Sequence, residues 1–422
     1  MTDIELWSAP QSDGFTASIN LPGSKSLTNR ELVLSALAID ETTLLKPLIS
    51  RDSALMITAL TALGTEFTWS GKDLLVTPNE LTGPANIDCG LAGTVMRFVP
   101  PVAMLAKGEV FFDGDEGARN RPMGTTVESL RALGAKVTTT TGNLPFSVTG
   151  TGSVPGGSLE IDASASSQFV SGLLLGAPRF DEGLVLTHRG ASLPSLPHIE
   201  MTLETLRHRG VQAQTLSDSS WQVLPGSISG GQVAIEPDLS NAGPFMAAAM
   251  VSAGTLIIPN WPATTTQVGD HYRIILQRMG AHIEVQNGSL TISGTGDIKG
   301  IEIDLGAAGE LTPTVAALAA LASTPSRLNG IGHLRGHETD RLKALVAEIN
   351  NLGGNAKELE DGIEITPATL SAGTWRTYHD HRMATSGAII GLRVPGIKVE
   401  NIATTSKTMP DFANMWHEML GS

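Results

Sequence analysis

The sequence predicts an α/β (α+β) protein of two domains, assembled from six repeated units of about 70 residues with three units to a domain. Three observations carry that prediction. Helical patterns that end in glycine recur at nearly constant spacing, and a second, more apolar helix keeps the same period. The chain of 422 residues also exceeds what one ordinary hydrophobic core holds.

The glycine-ended pattern closes on Leu-Gly or a near variant, then runs into a short strand, a polar turn and a second strand. It occurs at residues 59–64, 130–134, 206–210, 276–280 and 349–353. The glycines at 64, 134, 210, 280 and 353 stand 70, 76, 70 and 73 residues apart, and Gly421 follows after 68. Glycine suits the position just past a helix because it enters the left-handed region without a Cβ clash. The strands missing after Gly421 are expected from the N-terminus, at residues 4–7 and 15–20, in the sheet of the last unit.

The apolar helices begin near Lys25, Ala92, Ser166, Ser240, Glu310 and Asp380, which are 67, 74, 74, 70 and 70 residues apart. Bodies such as residues 245–250 and 315–321 are apolar on all sides, so they are expected to be buried. Each unit thus reads as a buried helix with a polar tip, an amphipathic outer helix and several short strands. Because N-terminal strands should complete the last unit, one domain is expected to be discontinuous, from residues 1–22 and 236–422. The other is expected at residues 23–235, with an active site in the cleft between them. A solenoid fits less well, since its usual period is roughly 20 to 50 residues.

Composition excludes several classes of function. A formal net charge of −14 argues against nucleic acid and anionic membranes as partners, though a local cationic cluster could still hold a small anion. One cysteine, Cys89, allows no internal disulfide and fits a reducing compartment. The N-terminal residues lack the basic-then-apolar order of a signal peptide, and the apolar run at 245–259 is interrupted by Ser252, Gly254 and Thr255. A cytoplasmic protein acting as a monomer is expected.

The polar tips collect the residues that carry chemistry. The first, within residues 21–31, brings Lys25, Ser26 and Arg30 to a helix start, where backbone N–H groups and the dipole favour anions. Thr28 and Glu31 there have the spacing of a capping box. The second tip holds Gly93, Thr94 and Arg97, followed by Arg121, and the third holds Ser166, Ser167 and Gln168, with Ser195 downstream. Glu310 marks the fifth tip, and His381 and Arg382 the sixth. His337, Glu338 and Arg341 lie between them, and Lys407 precedes the last helix. Six Arg and Lys at successive tips call for a ligand of high negative charge, such as phosphates and carboxylates. Glu310 and Glu338 are superfluous for holding an anion, which makes them candidates for proton transfer. His379 with His381, and His333 with His337, have ligand-like spacing, but neighbouring cations oppose a metal and none is expected. Gly23-Ser-Lys-Ser26 lacks the first glycine of a P-loop, so nucleotide hydrolysis is not indicated.

Seven segments in register make a resemblance specific: Leu21-Pro-Gly-Ser-Lys-Ser-x-x-Asn-Arg30, Ala92-Gly-Thr-x-Met-Arg97, Arg121-Pro-Met-Gly124, Ser166-Ser-Gln168, Glu338-Thr-Asp-Arg-Leu342, Asp380-His-Arg-Met383 and Lys407-Thr-Met-Pro-Asp411. Together they resemble 5-enolpyruvylshikimate-3-phosphate synthases from about residue 20 to 412. The resemblance implies an inside-out α/β barrel in each domain, the enolpyruvyl transferase fold. It implies transfer of the enolpyruvyl group of phosphoenolpyruvate to the 5-hydroxyl of shikimate 3-phosphate, with phosphate released and no metal or organic cofactor. By the same resemblance, Lys25, Ser26, Arg30, Ser166, Ser167, Gln168, Ser195, Glu310 and His337 hold shikimate 3-phosphate. Lys25, Gly93, Thr94, Arg121, Gln168, Arg341, His381, Arg382 and Lys407 hold phosphoenolpyruvate. Glu310 is then the base, and Glu338 with Lys25 supplies the proton to the methylene carbon.

The chain departs from the family at several positions. Glu310 stands where Asp is common, His337 where Lys is common, His333 where Asn is, and His198 where Tyr is; Leu196 and Leu91 also depart. Gly93-Thr94 matches members sensitive to glyphosate, so sensitivity is expected. Two rivals are a UDP-N-acetylglucosamine enolpyruvyl transferase and a non-catalytic anion-binding protein. The first usually carries a Cys shortly before its Ala-Arg-Pro segment, and residues 113–119 have none.

Overall fold

The computed structural model describes residues 5–421. The chain forms two compact units, one from residues 23–236 and one from residues up to 22 with 237 onward. The return crossing therefore falls between Glu236 and Pro237, one residue later than the sequence suggested. Each unit has its own apolar core.

In the unit of residues 23–236 the buried helices are α1 (Lys25–Ala36), α3 (Gly93–Ala103) and α6 (Gln168–Gly176). The outer ones are α2 (Arg51–Ala62), α5 (Gly124–Ala132) and α7 (Leu196–His208), with α4 (Glu116–Arg119) a single turn. The other unit repeats the alternation. Its buried helices are α8 (Leu239–Val251), α10 (Thr312–Ala320) and α12 (His381–Gly391). Its outer helices are α9 (Tyr272–Arg278), α11 (Arg341–Asn351) and α13 (Phe412–Leu420). Every residue of α3, α8 and α10 is buried, as helices apolar on all sides require. The glycines closing the outer helices, Gly64, Gly134, Gly210, Gly280, Gly353 and Gly421, all have positive φ.

The sheets share one pairing plan. Ala85–Asp88 runs parallel to Lys107–Asp113, which pairs antiparallel with Phe146–Thr151, and that strand pairs antiparallel with Lys136–Thr139. Sheets around Leu184–His188 and Ser326–Asn329 follow the same order. In the last repeat Gly373–Trp375 is parallel to Ile397–Glu400, and Leu6–Ser8 closes the sheet antiparallel, Leu6 opposite Glu400. Of the strand expected at residues 4–7, Ile4 lies outside the described residues.

The second N-terminal strand corrects the sequence reading. Thr16–Ser18 does not join the last repeat; it pairs parallel with Thr255–Pro259 in the fourth. The strand just before the fourth buried helix, Gly231–Ala234, instead pairs parallel with Thr42–Leu45 in the first repeat. The two chain crossings thus exchange lead strands; among the described residues five sheets have four strands and the sheet of the last repeat has three.

Close helix packing sets where the tips lie. Pro101 inside α3 has no N–H to offer the Arg97 carbonyl four residues back. A Cβ on Gly172 of α6 would fall 2.2 Å from that oxygen. Only glycine allows this approach, and it fixes α6 against α3. Two helix starts shift from their expected positions. The body of α6 begins at Gln168, and Glu310 lies in a 3₁₀ turn, Gly306–Leu311, with α10 beginning at Thr312 ahead of Pro313.

Candidate active site

The α1 tip is capped by Ser24, whose Oγ accepts from Leu27 N at 3.4 Å. The capping box expected of Thr28 and Glu31 does not form. Thr28 Oγ1 accepts from Leu48 N at 3.0 Å, and Glu31 is buried against Arg209 at 2.9 Å. Burial pushes the Glu31 carboxyl up to about 7, with Arg209 acting in the opposite direction. Lys25 Nζ lies 4.0 Å from Asp52 on α2. Arg30 is 2% exposed; its guanidinium reaches Thr202 Oγ1 and the His198 carbonyl, each at 2.8 Å, and the Ser26 carbonyl at 2.9 Å. It therefore ties α1 to α7 and holds the tip in place.

The second and third tips meet around one glycine. A Cβ on Gly93 would lie 3.0 Å from both Arg121 Nη2 and Gln168 Oε1, so all three groups face one small space. Arg121 Nη1 donates to the Leu91 carbonyl at 3.1 Å, and Arg97 to the Pro122 carbonyl at 3.1 Å, which draws the Arg121 loop to the tip. Among the described residues, Thr94 Oγ1, Arg121 Nε and Gln168 Oε1 are buried without a hydrogen-bond partner in the protein. Buried polar groups are normally satisfied, and three orphans together suit a site that closes around a polar ligand. Ser166 Oγ accepts from Gln168 N at 3.2 Å. Ser195, before α7, holds a left-handed φ of 56°, unusual for a residue with a Cβ.

The second unit gathers the remaining cations and both carboxylates. Arg341 is 2% exposed, and its Nε and Nη2 donate to Asp380 Oδ2 and Oδ1 at 2.7 and 3.2 Å. Nη2 also donates to Glu338 Oε2 at 3.0 Å, while Lys407 Nζ donates to Glu338 Oε1 at 2.6 Å. Burial alone would lower the Arg341 pKa, but Asp380 and Glu338 outweigh it and hold the guanidinium charged. His337 Nδ1 lies 3.3 Å from Arg341 Nη1; arginine only donates, so Nδ1 accepts there.

At the fifth tip Glu310 Oε2 lies 3.8 Å from Arg382 Nη2, which also donates to Ser240 Oγ at 3.0 Å. Ser240 in turn donates to Asp238, the cap of α8. His333 packs where a Cβ on Gly309 would clash at 2.6 Å, beside Glu310, and burial lowers its pKa. His381 is buried with Nδ1 3.8 Å from Asp380. Among the described residues no three His, Cys, Asp or Glu side chains converge as a metal site would need. Cys89 is buried, and burial with Asp88 nearby pushes its thiol up to about 12, so it stays protonated.

The structure thus brings some of the expected residues together within each unit. Gly93, Arg121 and Gln168 converge in the first, near Thr94. Glu338, Arg341 and Lys407 converge in the second, with Glu310 and Arg382 paired separately. Sequence reasoning read Asp380 and Ser240 only as helix starts and passed over Asp238, and so missed that they aim the arginines. Their signal was an Asp or Ser at a helix start, readable as caps without the guanidinium partners.

Comparison with known proteins follows the same lines. The profile of the family described as EPSP synthase (3-phosphoshikimate 1-carboxyvinyltransferase) matches residues 11–416. A 3-phosphoshikimate 1-carboxyvinyltransferase of Kocuria rhizophila is 56% identical over 432 residues, covering 99% of this chain and 97% of the relative. In structure the chain is similar to the EPSP synthase from Acinetobacter baumannii, with a TM-score of 0.81, 24% identity and 98% of each chain covered. It is also similar to the enolpyruvyl transferase NikO from Streptomyces tendae, with a TM-score of 0.78, 15% identity and 97% and 96% covered. At those identities the two structures speak for the fold, which is the two-domain enolpyruvyl transferase fold.

Proposed function

The chain belongs to the EPSP synthase family, and from that membership we propose how its residues divide the family's reaction. It transfers the enolpyruvyl group of phosphoenolpyruvate to the 5-hydroxyl of shikimate 3-phosphate and releases phosphate. Ser26, Arg30, Ser166, Ser167, Ser195 and His337 hold shikimate 3-phosphate in this proposal. Lys25, Gly93, Thr94, Arg121, Arg341, His381, Arg382 and Lys407 hold phosphoenolpyruvate, and Gln168 touches both. Both substrates are phosphorylated carboxylates, so we further propose that the tips of both units serve one substrate pair.

The observation that carries the assignment is Glu338 bridging Lys407 at 2.6 Å and Arg341 at 3.0 Å. An anion receptor needs the two cations and gains nothing from the carboxylate between them. A carboxylate there can take up and return a proton once the substrate's own charges engage Arg341 and Lys407. Glu310 removes the proton of the 5-hydroxyl as its oxygen bonds to the central carbon of phosphoenolpyruvate. The methylene carbon gains a proton from Glu338, with Lys25 beside it, to give a tetrahedral intermediate. Loss of a methyl proton and cleavage of the carbon–oxygen bond to phosphate then restore the double bond. Fixed cations stabilise the developing charge without reorganising, which is where most of the acceleration arises.

No helix among the described residues is long and apolar enough to cross a membrane. We propose a cytoplasmic monomer; Cys89, kept as a buried thiol, fits a reducing compartment.

The deciding experiment is a coupled phosphate-release assay with phosphoenolpyruvate and either shikimate 3-phosphate or UDP-N-acetylglucosamine. Release with shikimate 3-phosphate alone is expected. No release with that acceptor would overturn the reading.

A further inference from the structure

Glu348 is fully buried, yet among the described residues no Arg or Lys side chain lies within ion-pair distance of its carboxylate. Its Oε2 accepts from the Arg376 backbone N at 3.0 Å, and its Oε1 accepts from the Tyr378 hydroxyl at 2.6 Å and from Asn351 Nδ2 at 3.4 Å. What it grips is unusual backbone: Tyr378 and His379 both lie in the left-handed region, with φ of 54° and 57°. Two consecutive residues with side chains rarely adopt that region unless their surroundings impose it.

The turn they make ends at Asp380. Asp380 N donates to the Thr377 carbonyl at 2.8 Å, closing the turn. The Asp380 carboxylate then accepts from Arg382 N at 2.8 Å, capping α12, and from Arg341 at 2.7 and 3.2 Å. Arg341 and Glu348 both stand on α11, seven residues and so two turns apart on one face. One face of α11 therefore holds the segment 376–380 at two points, through Glu348 at its start and Arg341 at its end. Arg376 faces Tyr378 from the exposed side.

We infer that Glu348 and Tyr378 form a latch that positions Asp380, and through it Arg341 and Arg382, for phosphoenolpyruvate binding. This rests on the functional reading above, and Glu348 is a positioning residue in it. Removing the latch lets the strained turn relax and displaces the Asp380 carboxylate from both arginines. The damage then falls on one substrate, because no assigned shikimate 3-phosphate contact except His337 lies on these elements.

The test is steady-state phosphate release, with KM measured separately for each substrate, for Tyr378→Phe, Glu348→Ala and Glu348→Gln. Tyr378→Phe and Glu348→Ala should raise KM for phosphoenolpyruvate about tenfold or more while KM for shikimate 3-phosphate stays within about twofold. Glu348→Gln should stay near wild type in both. Its amide oxygen can accept from Arg376 N, and its NH2 can donate to the Tyr378 oxygen, which accepts as readily as it donates. Equal rises in both KM values, or lowered thermal midpoints with KM unchanged, would overturn the latch. Tyr378→Phe removes a single hydroxyl and keeps the test open if Glu348→Ala does not fold. A wild-type enzyme that releases no phosphate from the two substrates overturns the functional reading instead.

Discussion

Arg341 and Asp380 form a bidentate pair inside one unit, with Nε to Oδ2 at 2.7 Å and Nη2 to Oδ1 at 3.2 Å, and both side chains are almost wholly buried. A guanidinium taken this far from water needs its counter-charge. Removing one partner of such a pair costs about 3–5 kcal/mol, because the other charge is left buried alone. Because Glu338 still pairs with Arg341 at 3.0 Å and Asn keeps an acceptor oxygen, Asp380→Asn is expected to cost less than that, about 1–3 kcal/mol of unfolding free energy. It should also raise KM for phosphoenolpyruvate, since the same carboxylate aims Arg341 and caps the helix that begins at His381. Urea unfolding and initial rates on one preparation check both effects.

Glu310 carries the second prediction. Its carboxylate lies 3.8 Å from Arg382, which keeps an independent hydrogen bond to Ser240. Glu310→Gln preserves shape and leaves Arg382 anchored, so substrate binding should be nearly intact. Turnover should fall about a hundredfold or more, the usual scale for losing a general base. Near-wild-type turnover would remove Glu310 from that role.

A third prediction follows from the space at Gly93. A methyl group there would sit 3.0 Å from Arg121 Nη2 and Gln168 Oε1, closer than ordinary contacts allow. Gly93→Ala should raise KM for phosphoenolpyruvate about tenfold, a loss of about 1.4 kcal/mol in binding. KM for shikimate 3-phosphate should change less, because Ser26 and Ser195 lie on other elements. The wild type, with Gly93-Thr94, is expected to be inhibited by glyphosate at concentrations no higher than its KM for phosphoenolpyruvate. An inhibition constant far above that KM would contradict the expectation.

The buried pair of Glu31 and Arg209 makes a prediction about pH. Burial raises the folded-state Glu31 pKa from 4.5 to about 7, against the opposing pull of Arg209. Between those values the folded chain holds more protons than the unfolded one, so the contribution of Glu31 to stability falls as pH rises. The loss across the window is on the order of 3 kcal/mol. Glu31→Gln, which mimics the protonated acid, should therefore gain on wild type between pH 4.5 and pH 7.5 in chemical unfolding. Movement of the difference in the other direction would mean that Arg209 outweighs burial.

Much of the site was legible because helix tips are a local signal. Lys25, Gly93, Gln168 and Arg382 stand at or beside the starts of α1, α3, α6 and α12, where the apolar period changes to polar residues. Glu31 shows the limit of that reasoning. Its spacing from Thr28 suits a capping box, and the competing partner, Arg209, is 178 residues away in the chain. Nothing local distinguishes a carboxylate that caps a helix from one that is drawn into a distant ion pair. Asp380 was read only as a helix start and Glu348 not at all, for the same reason, since a carboxylate's partner is set by packing.

The sequence by itself determined the repeat, the alternation of buried and outer helices and the left-handed glycine after each outer helix. Those features depend on apolar periodicity and on the steric freedom of glycine, which act within a few residues. Only the tertiary structure decided where the lead strands go. Thr16–Ser18 serves the fourth repeat and Gly231–Ala234 the first, although chain order suggests neither. Strands of three and four residues carry too little pattern to name a partner, and only long-range packing selects the edge they join. The aim of Arg341 was settled in the same way, by a carboxylate 39 residues distant that only the folded unit brings within 2.7 Å.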